Sequence, residues 1–182
     1  MNLRCFGLSG SFNLRMLVIV SSKMKFLTGV VLFVGGVAVS GKGQNPETIN
    51  LSGLQKVIHS AANKIQVVNF WATWCAPCVT ELPILEKVNN DRQDVQVTLV
   101  SMDLDLDPNP EKVYRFVSRK KIASKVLLLK EPDPNSWIAQ VDTNWTGSLP
   151  ATLIINNVNG KRKFIEGALH EGELEKSIDE IK

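Results

Sequence analysis

Hydrophobic positions follow two kinds of pattern, one typical of strands and one typical of helices, and segments of the two kinds alternate along most of the chain. Short apolar or alternating runs predict strands at five places: Ile65–Trp71, Val95–Met102, Lys125–Lys130, Ala151–Asn156 and Lys161–Glu166. Apolar residues spaced three or four positions apart predict five helices: Leu51–Asn63, Ala76–Asn90, Glu111–Lys121, Asp133–Val141 and Glu171–Ile181. This alternation predicts an α/β fold in which helices cover a mixed central β-sheet.

The first forty residues differ in composition from the rest of the 182-residue chain. They contain no acidic residue and four basic ones, which precede a fourteen-residue apolar run, Phe26–Val39. Together with the small residues Ala38 and Ser40, this pattern predicts a secretory signal peptide. The run is shorter than the roughly twenty residues that a membrane-spanning helix needs. An uncleaved membrane anchor is the alternative, and Met24 is a second candidate for the start of translation.

The rest of the chain divides into a short linker and one domain. Residues 41–50 are polar, contain Pro46 and predict the linker, and residues 51–182 have the length of one ordinary domain. The net charge falls from +3 for the whole chain to −1 for residues 41–182, because Lys and Arg fall from 21 to 17 while Asp and Glu stay at 18. The basic balance therefore belongs to the leader, and we infer no nucleic-acid partner from it.

The main chemical signal is a pair of cysteines, Cys75 and Cys78, within the segment V-V-N-F-W-A-T-W-C-A-P-C-V-T-E-L-P. They lie three positions apart where a predicted strand turns into a helix, so they share one face of its first turn and are close enough to form a disulfide. Free N–H groups and the partial positive charge of the helix N-terminus stabilise a thiolate on Cys75. This predicts Cys75 as a nucleophile and Cys78 as the residue that resolves a mixed disulfide. Pro77 suits the first helical turn, where its missing N–H has no partner to lose.

Metal binding is the main competing interpretation of these residues. A zinc site would need a second pair of ligands, and the two histidines, His59 and His170, lie far apart in the sequence. The run Asp103–Asp107 lacks the glycine and the distal glutamate of a calcium loop, so it is predicted to be a solvated connection. The chain therefore predicts no metal and no cofactor beyond the disulfide itself. A structural disulfide remains an alternative, although so small a loop removes little chain entropy.

The segment F-W-A-T-W-C-A-P-C-V-T-E-L-P resembles the active site of thioredoxin-fold proteins. It is most similar to the extracytoplasmic TlpA/ResA-like thiol-disulfide oxidoreductases, from about Leu51 to the C-terminus. Asn69 stands where thioredoxins carry a buried aspartate, and Glu81 stands where ResA-like proteins carry a functional glutamate. The resemblance implies a thioredoxin-like fold with the inserted strand and helix typical of that group.

The same resemblance implies roles for further residues. The Leu149–Pro150 peptide bond is expected to be cis, to face the cysteine pair and to hold a substrate peptide in strand-like pairing. Glu81 is expected to exchange a proton with Cys78, with an exposed helix position as the alternative. The remaining substrate contacts are expected at the cysteine loop: Trp74, Ala76 and Pro77. Trp145 either lines the same groove or packs in the core.

Together, these expectations predict a protein-disulfide reductase that is exported to the periplasm or another extracytoplasmic compartment. Its partners would be proteins with disulfides, apocytochrome c among the candidates, and a membrane thiol donor that restores the reduced pair. A membrane tether is implied if the leader is not cleaved. Two alternatives remain open at this point: a net oxidant or isomerase of exported proteins, and a binding module whose disulfide is structural.

Overall fold

The computed structural model of the protein describes residues 45–60 and 64–182. The predicted leader, residues 1–40, lies outside the described residues, as does Cys5, so that assignment stays a prediction. The strands are β1 to β6 in chain order: Glu47–Ile49, Ile65–Trp71, Val95–Ser101, Lys125–Leu129, Ala151–Asn156 and Arg162–Glu166. The α-helices are α1 to α5: Leu51–Ile58, Ala76–Asp91, Glu111–Lys120, Ile138–Val141 and Glu173–Glu180.

The six strands form one mixed sheet in the order β1-β4-β3-β2-β5-β6. The first four strands in this order run parallel to one another, whereas β5 is antiparallel to both β2 and β6. All seven residues of β2 are buried, as expected for a strand with helices on both faces. The sheet confirms the predicted α/β class with helices covering a mixed central sheet.

Each face of the sheet carries its own hydrophobic core. Successive side chains of a strand point to opposite faces, so Val67 and Trp71 of β2 pack in one core while Val68 and Phe70 pack in the other. The first core contains the cysteine pair and buried residues of α2, α3 and α5. The second is covered by α1 and α4 and is rich in aromatic rings; those of Phe70 and Trp145 are 4.6 Å apart.

The N-terminal edge of the sheet differs from the prediction. Part of the predicted linker forms β1, which pairs in parallel with β4 through Glu47 and Leu127 at its first position. The strand has only three residues, and Ile49 alone is partly buried. An edge strand this short carries too little periodic signal to be recognised from the sequence.

Two predicted helices also differ from the structure. Helix α1 ends at Ile58 instead of Asn63, and its N-cap is Asn50, whose side chain accepts a hydrogen bond from Gly53 N at 3.0 Å. The helix predicted over Asp133–Val141 is broken into a 3₁₀ helix, Pro134–Ser136, and the short α4. The break lies at Trp137, whose side chain is buried among the aromatic rings of the second core. We infer that burial of the Trp137 ring stabilises the fold more than an unbroken helix over this segment would.

A search of residues 45–60 and 64–182 for membrane spans finds no helix with the length and apolar character to cross a bilayer.

Candidate active site

The cysteine pair lies where the sequence predicts it, at the junction between β2 and α2. Cys75 is the N-cap of α2 and is joined to Cys78 by a disulfide, with the two Cα atoms 5.3 Å apart. Its Sγ atom accepts a hydrogen bond from Cys78 N at 3.3 Å, so the helix N-terminus does direct an N–H group at this sulfur. Cys78 is fully buried, whereas Cys75 keeps 6% of its surface. The less buried sulfur is therefore the one that an incoming group meets first.

The segment that carries the pair, residues 72–78, is called the redox loop here, and one buried carboxylate holds it. Asp103 accepts hydrogen bonds from Thr73 N and Ser101 Oγ, each at 2.9 Å, and from Thr73 Oγ1. The prediction of a solvated connection is wrong for Asp103, because these donors draw its side chain into the protein. Asp103 follows β3, the parallel neighbour of β2, and the ends of adjacent parallel strands meet at one sheet edge. That topology is the signal that could have identified it.

A second loop, residues 144–150, ends in the predicted cis peptide bond Leu149–Pro150, which the structure confirms. We call it the proline loop. The carboxylate of Glu166 accepts hydrogen bonds from Thr146 N and Ser148 N, both at 3.2 Å, and from Thr146 Oγ1. These bonds, led by that of the Thr146 hydroxyl, lower the pKa of Glu166. Sequence reasoning missed Glu166, and no local pattern marks it, because its place beside the loop depends on the pairing of β6 with β5.

The two loops border one groove with a volume of about 540 Å³. Four of the predicted site residues come together there: Trp74, Cys75, Pro77 and Leu149. Trp74 is half exposed, so it forms an open rim beside the reactive sulfur. Most of the remaining lining was not predicted: Met102, Asp105, Leu106, Trp137, Ile138, Gly147 and Ser148.

The other residues singled out from the sequence lie around this groove. Ala76 is exposed at the first position of α2 and does not line the groove, and Pro150 is buried next to Leu149. Trp145 meets both expectations, because it lines the groove and also packs in the second core. Trp71 is a core residue, with its ring 5.3 Å from that of Phe116.

A buried polar cluster underlies both loops. Glu81, one turn after Cys78 on α2, is only 2% exposed, which excludes the alternative of an exposed helix position. Its Oε1 accepts a hydrogen bond from Asn69 Nδ2 and its Oε2 one from Leu169 N, both at 2.7 Å. Asn69 Nδ2 also donates to Thr152 Oγ1 at 3.0 Å, two residues beyond Pro150. The cluster thus connects the helix of the cysteine pair with the strand that follows the proline loop.

Burial raises the pKa of Glu81, and the negative charge of Glu173 adds to this effect. The hydrogen bonds from Leu169 N and Asn69 act in the opposite direction, since they favour the carboxylate. The net result is a carboxyl group that holds a proton more readily than an exposed glutamate. Such a group, close in the chain to a buried thiol, is suited to accept and return a proton.

Metal ligands do not cluster in the part of the chain that the structure describes. No group of three or more His, Cys, Asp and Glu side chains in that part could hold a metal ion. His59 and His170 are both exposed, His59 at the end of α1 and His170 before α5.

Comparison with known proteins supports the same kind of site. The family model described as Thioredoxin matches residues 47–118. The thioredoxin-like protein YneN of Bacillus subtilis (strain 168) is 26% identical over 129 residues, which cover 71% of this chain and 72% of YneN. The thiol-disulfide oxidoreductase ResA of Halalkalibacterium halodurans is 26% identical over 134 residues, covering 73% of this chain and 71% of ResA. Other matches are partial: the chain spans 12% of a bifunctional thioredoxin reductase/thioredoxin from Mycobacterium leprae, with 36% identity over 58 residues.

Solved structures show the fold. The thioredoxin-related protein from Neisseria meningitidis serogroup B has a TM-score of 0.56 and 23% identity, over 66% of this chain and 86% of that protein. The sheet, the W-C-A-P-C pair and the sequence relatives together define a thiol-disulfide oxidoreductase of the thioredoxin fold. Within this class, YneN and ResA are similar to most of the chain, which agrees with the resemblance of its active-site segment to TlpA/ResA-like proteins.

Proposed function

We propose that the protein reduces disulfides in other proteins outside the cytoplasm, with Cys75 and Cys78 as its redox pair. One observation carries the proposal: Cys75 lines a groove beside the proline loop, while Cys78 is buried behind it. This asymmetry suits one cysteine for attack on a substrate and the other for resolving the product. The ResA relative carries the name of a thiol-disulfide oxidoreductase, which supports the same chemistry.

In the first step, the Cys75 thiolate of the reduced protein attacks one sulfur of a substrate disulfide. A bond forms between Cys75 Sγ and that sulfur, the substrate S–S bond breaks, and the second substrate sulfur leaves as a thiolate that takes a proton from water. The backbone of Leu149 and Pro150 would hold the substrate chain as an added strand, which recognises main chain and tolerates varied sequences.

In the second step, Glu81 takes the proton of Cys78, and the resulting thiolate attacks Cys75 Sγ. The Cys75–Cys78 disulfide forms, the mixed disulfide breaks, and the first substrate sulfur leaves as a thiolate. Two electrons have then passed from the cysteine pair to the substrate. A dithiol donor must return them, and we propose a thiol carrier in the membrane for this role. Export of the chain would rest on the predicted leader, residues 1–40, as a signal peptide or a tether.

The direction of electron flow can be tested by equilibrating the full chain with glutathione. The Cys5→Ser variant should be used, so that only Cys75 and Cys78 titrate. Ala76 and Pro77 add no charge between the cysteines, so little besides the helix favours the reduced form. We expect a potential near about −270 mV, as in thioredoxin, whereas a value near about −120 mV would identify an oxidant.

A further inference from the structure

Positive charge is concentrated in one short stretch of the chain. Residues 111–125 contain six of the 17 Lys and Arg residues of the region 41–182 but only one of its 18 acidic residues. The stretch therefore carries a net charge of +5, and the rest of that region carries −6. The six basic residues, called the basic patch here, are Lys112, Arg115, Arg119, Lys120, Lys121 and Lys125.

The basic patch forms no ion pair within the described residues. All six side chains are exposed, and none forms an ion pair there, in contrast to Lys87, Arg92 and Lys163 elsewhere on the surface. Arg119 and Lys120 instead lie over the ring of Phe116, at 5.7 and 6.0 Å from its centroid. These contacts hold the charged groups on one face without neutralising them.

The basic patch borders the redox loop. A hollow of about 350 Å³ is lined by Thr73 together with Lys112, Arg115, Phe116 and Arg119. Thr73 belongs to the redox loop, two residues before Cys75. One loop therefore adjoins two surfaces: the apolar groove at Trp74 and Cys75, and the positive hollow at Thr73.

We propose that the basic patch recognises an acidic surface on the protein that exchanges disulfides with Cys75. The inference rests on the proposed function and specifies the partner's chemistry. Oppositely charged surfaces beside a reactive group raise encounter rates by about 10- to 1,000-fold at low salt. An occupant of the hollow at Thr73 contacts the same loop that carries Cys75, which a disulfide partner also has to approach. An anionic lipid surface at the same place would instead obstruct protein access to that sulfur.

Two synthetic peptides with one intramolecular disulfide each provide the test. They share a sequence except that four positions are glutamate in one and glutamine in the other. The second-order rate at which each oxidises the reduced full-length Cys5→Ser protein is followed by tryptophan fluorescence. At an ionic strength of about 0.02 M, we expect the acidic peptide to react about 10-fold faster. The ratio should approach one at about 0.5 M, where charges are screened over a few ångströms.

Charge reversal of the basic patch tests whether the preference for the acidic peptide depends on these residues. In the triple variant Lys112→Glu, Arg115→Glu and Arg119→Glu, the acidic peptide should become the slower one. The matched control is Lys56→Glu, Lys130→Glu and Lys176→Glu, which changes the net charge equally at exposed positions outside the patch. It should keep most of the preference. Hydroxyethyl disulfide, which is neutral, reports whether each variant retains an intact redox pair. Because a general change in the reactivity of Cys75 affects both peptides equally, it cancels in the ratio of their two rates.

Several outcomes would overturn the inference. Equal rates for the two peptides with the unmodified patch would do so, as would an equal loss of preference in both triple variants. Patch-dependent binding to vesicles of phosphatidylglycerol and phosphatidylcholine, combined with equal peptide rates, would assign the surface to lipid instead. Failure of both peptides and hydroxyethyl disulfide to oxidise the pair would contradict the proposed function itself.

Discussion

The redox loop and the proline loop meet at the same groove, and each is held by a carboxylate from another part of the chain. Asp103 holds the first from the end of β3, and Glu166 holds the second from the end of β6. Asp103 is buried, whereas Glu166 is exposed. Two similar sets of hydrogen bonds therefore operate in very different surroundings.

This difference in burial predicts that Asp103 acts mainly on the stability of the fold and Glu166 mainly on the position of the proline loop. A buried donor that loses its acceptor cannot turn to water, so the loss of Asp103 should be felt by the whole fold. Donors at the surface can be hydrated when Glu166 is removed, so the main consequence should be a less ordered proline loop. The redox loop is thus anchored to the core through Asp103, while the proline loop is held at the surface through Glu166.

The largest effect on a reaction rate is expected at Glu81, in the buried polar cluster that connects the two loops. In Glu81→Gln the second step, in which Cys78 releases the substrate, should slow about 100-fold at neutral pH, because its proton acceptor is gone. The first step, attack by Cys75, should change less than about 3-fold. Single-turnover quenching with a peptide disulfide resolves the two steps. Glu47→Gln, an exposed position on β1, is the control, and equal slowing of both steps would contradict the role.

The raised pKa of Glu81 also predicts how stability changes with pH. Its contribution is fully present below the unfolded pKa, near 4.5, and is lost as the pH rises through the folded pKa. The free energy of unfolding should therefore decline with pH above about 4.5 more steeply in the native sequence than in Glu81→Gln. Urea titrations from pH 4 to 8 measure the two slopes, and parallel curves would show that the burial of this carboxyl has no energetic cost.

A loss of stability should follow removal of the buried carboxylate of the redox loop. Asp103→Asn replaces one of the two carboxylate oxygens with a donor that faces Thr73, and we expect a loss of about 2 kcal/mol in the free energy of unfolding. Asp105→Asn, at an exposed position of the same 3₁₀ helix, should change it by less than about 0.5 kcal/mol. If urea unfolding showed equal losses for Asp103→Asn and Asp105→Asn, the buried carboxylate would have no special part in stability, and the distinction drawn between the two loops would be wrong.

The smallest effect is expected at the exposed carboxylate of the proline loop. Glu166→Gln should raise the KM for a peptide disulfide about 5-fold, leave kcat unchanged and cost less than about 1 kcal/mol of stability. Because the pKa of Glu166 is lowered, its contacts are lost only as the pH falls through that value, below the ordinary 4.5. The rise in KM should therefore be the same from pH 6 to 8. Glu171→Gln, also exposed, is the control, and a fall in kcat alone would contradict a positioning role.

Local patterns were sufficient for the reactive parts of the molecule. The cysteine pair and the start of α2 follow from one short segment whose geometry depends on its own residues, and the cis bond at Pro150 follows from the resemblance of that segment to thioredoxin-fold active sites. Asp103 and Glu166 could not be found in this way, because their importance comes from strands that meet only in the folded sheet. Trp137 is similar: its burial among the rings of the second core breaks a segment whose own sequence favours one helix.

The most direct test of the central claim is the trapping of a substrate on Cys75. The full chain with Cys5→Ser and Cys78→Ser, once reduced and mixed with a peptide disulfide, should form a stable one-to-one mixed disulfide, identified by mass spectrometry at Cys75. A matched chain with Cys5→Ser and Cys75→Ser should form little adduct, because Cys78 is fully buried. Absence of the adduct in the first chain, or equal amounts in both, would contradict the account.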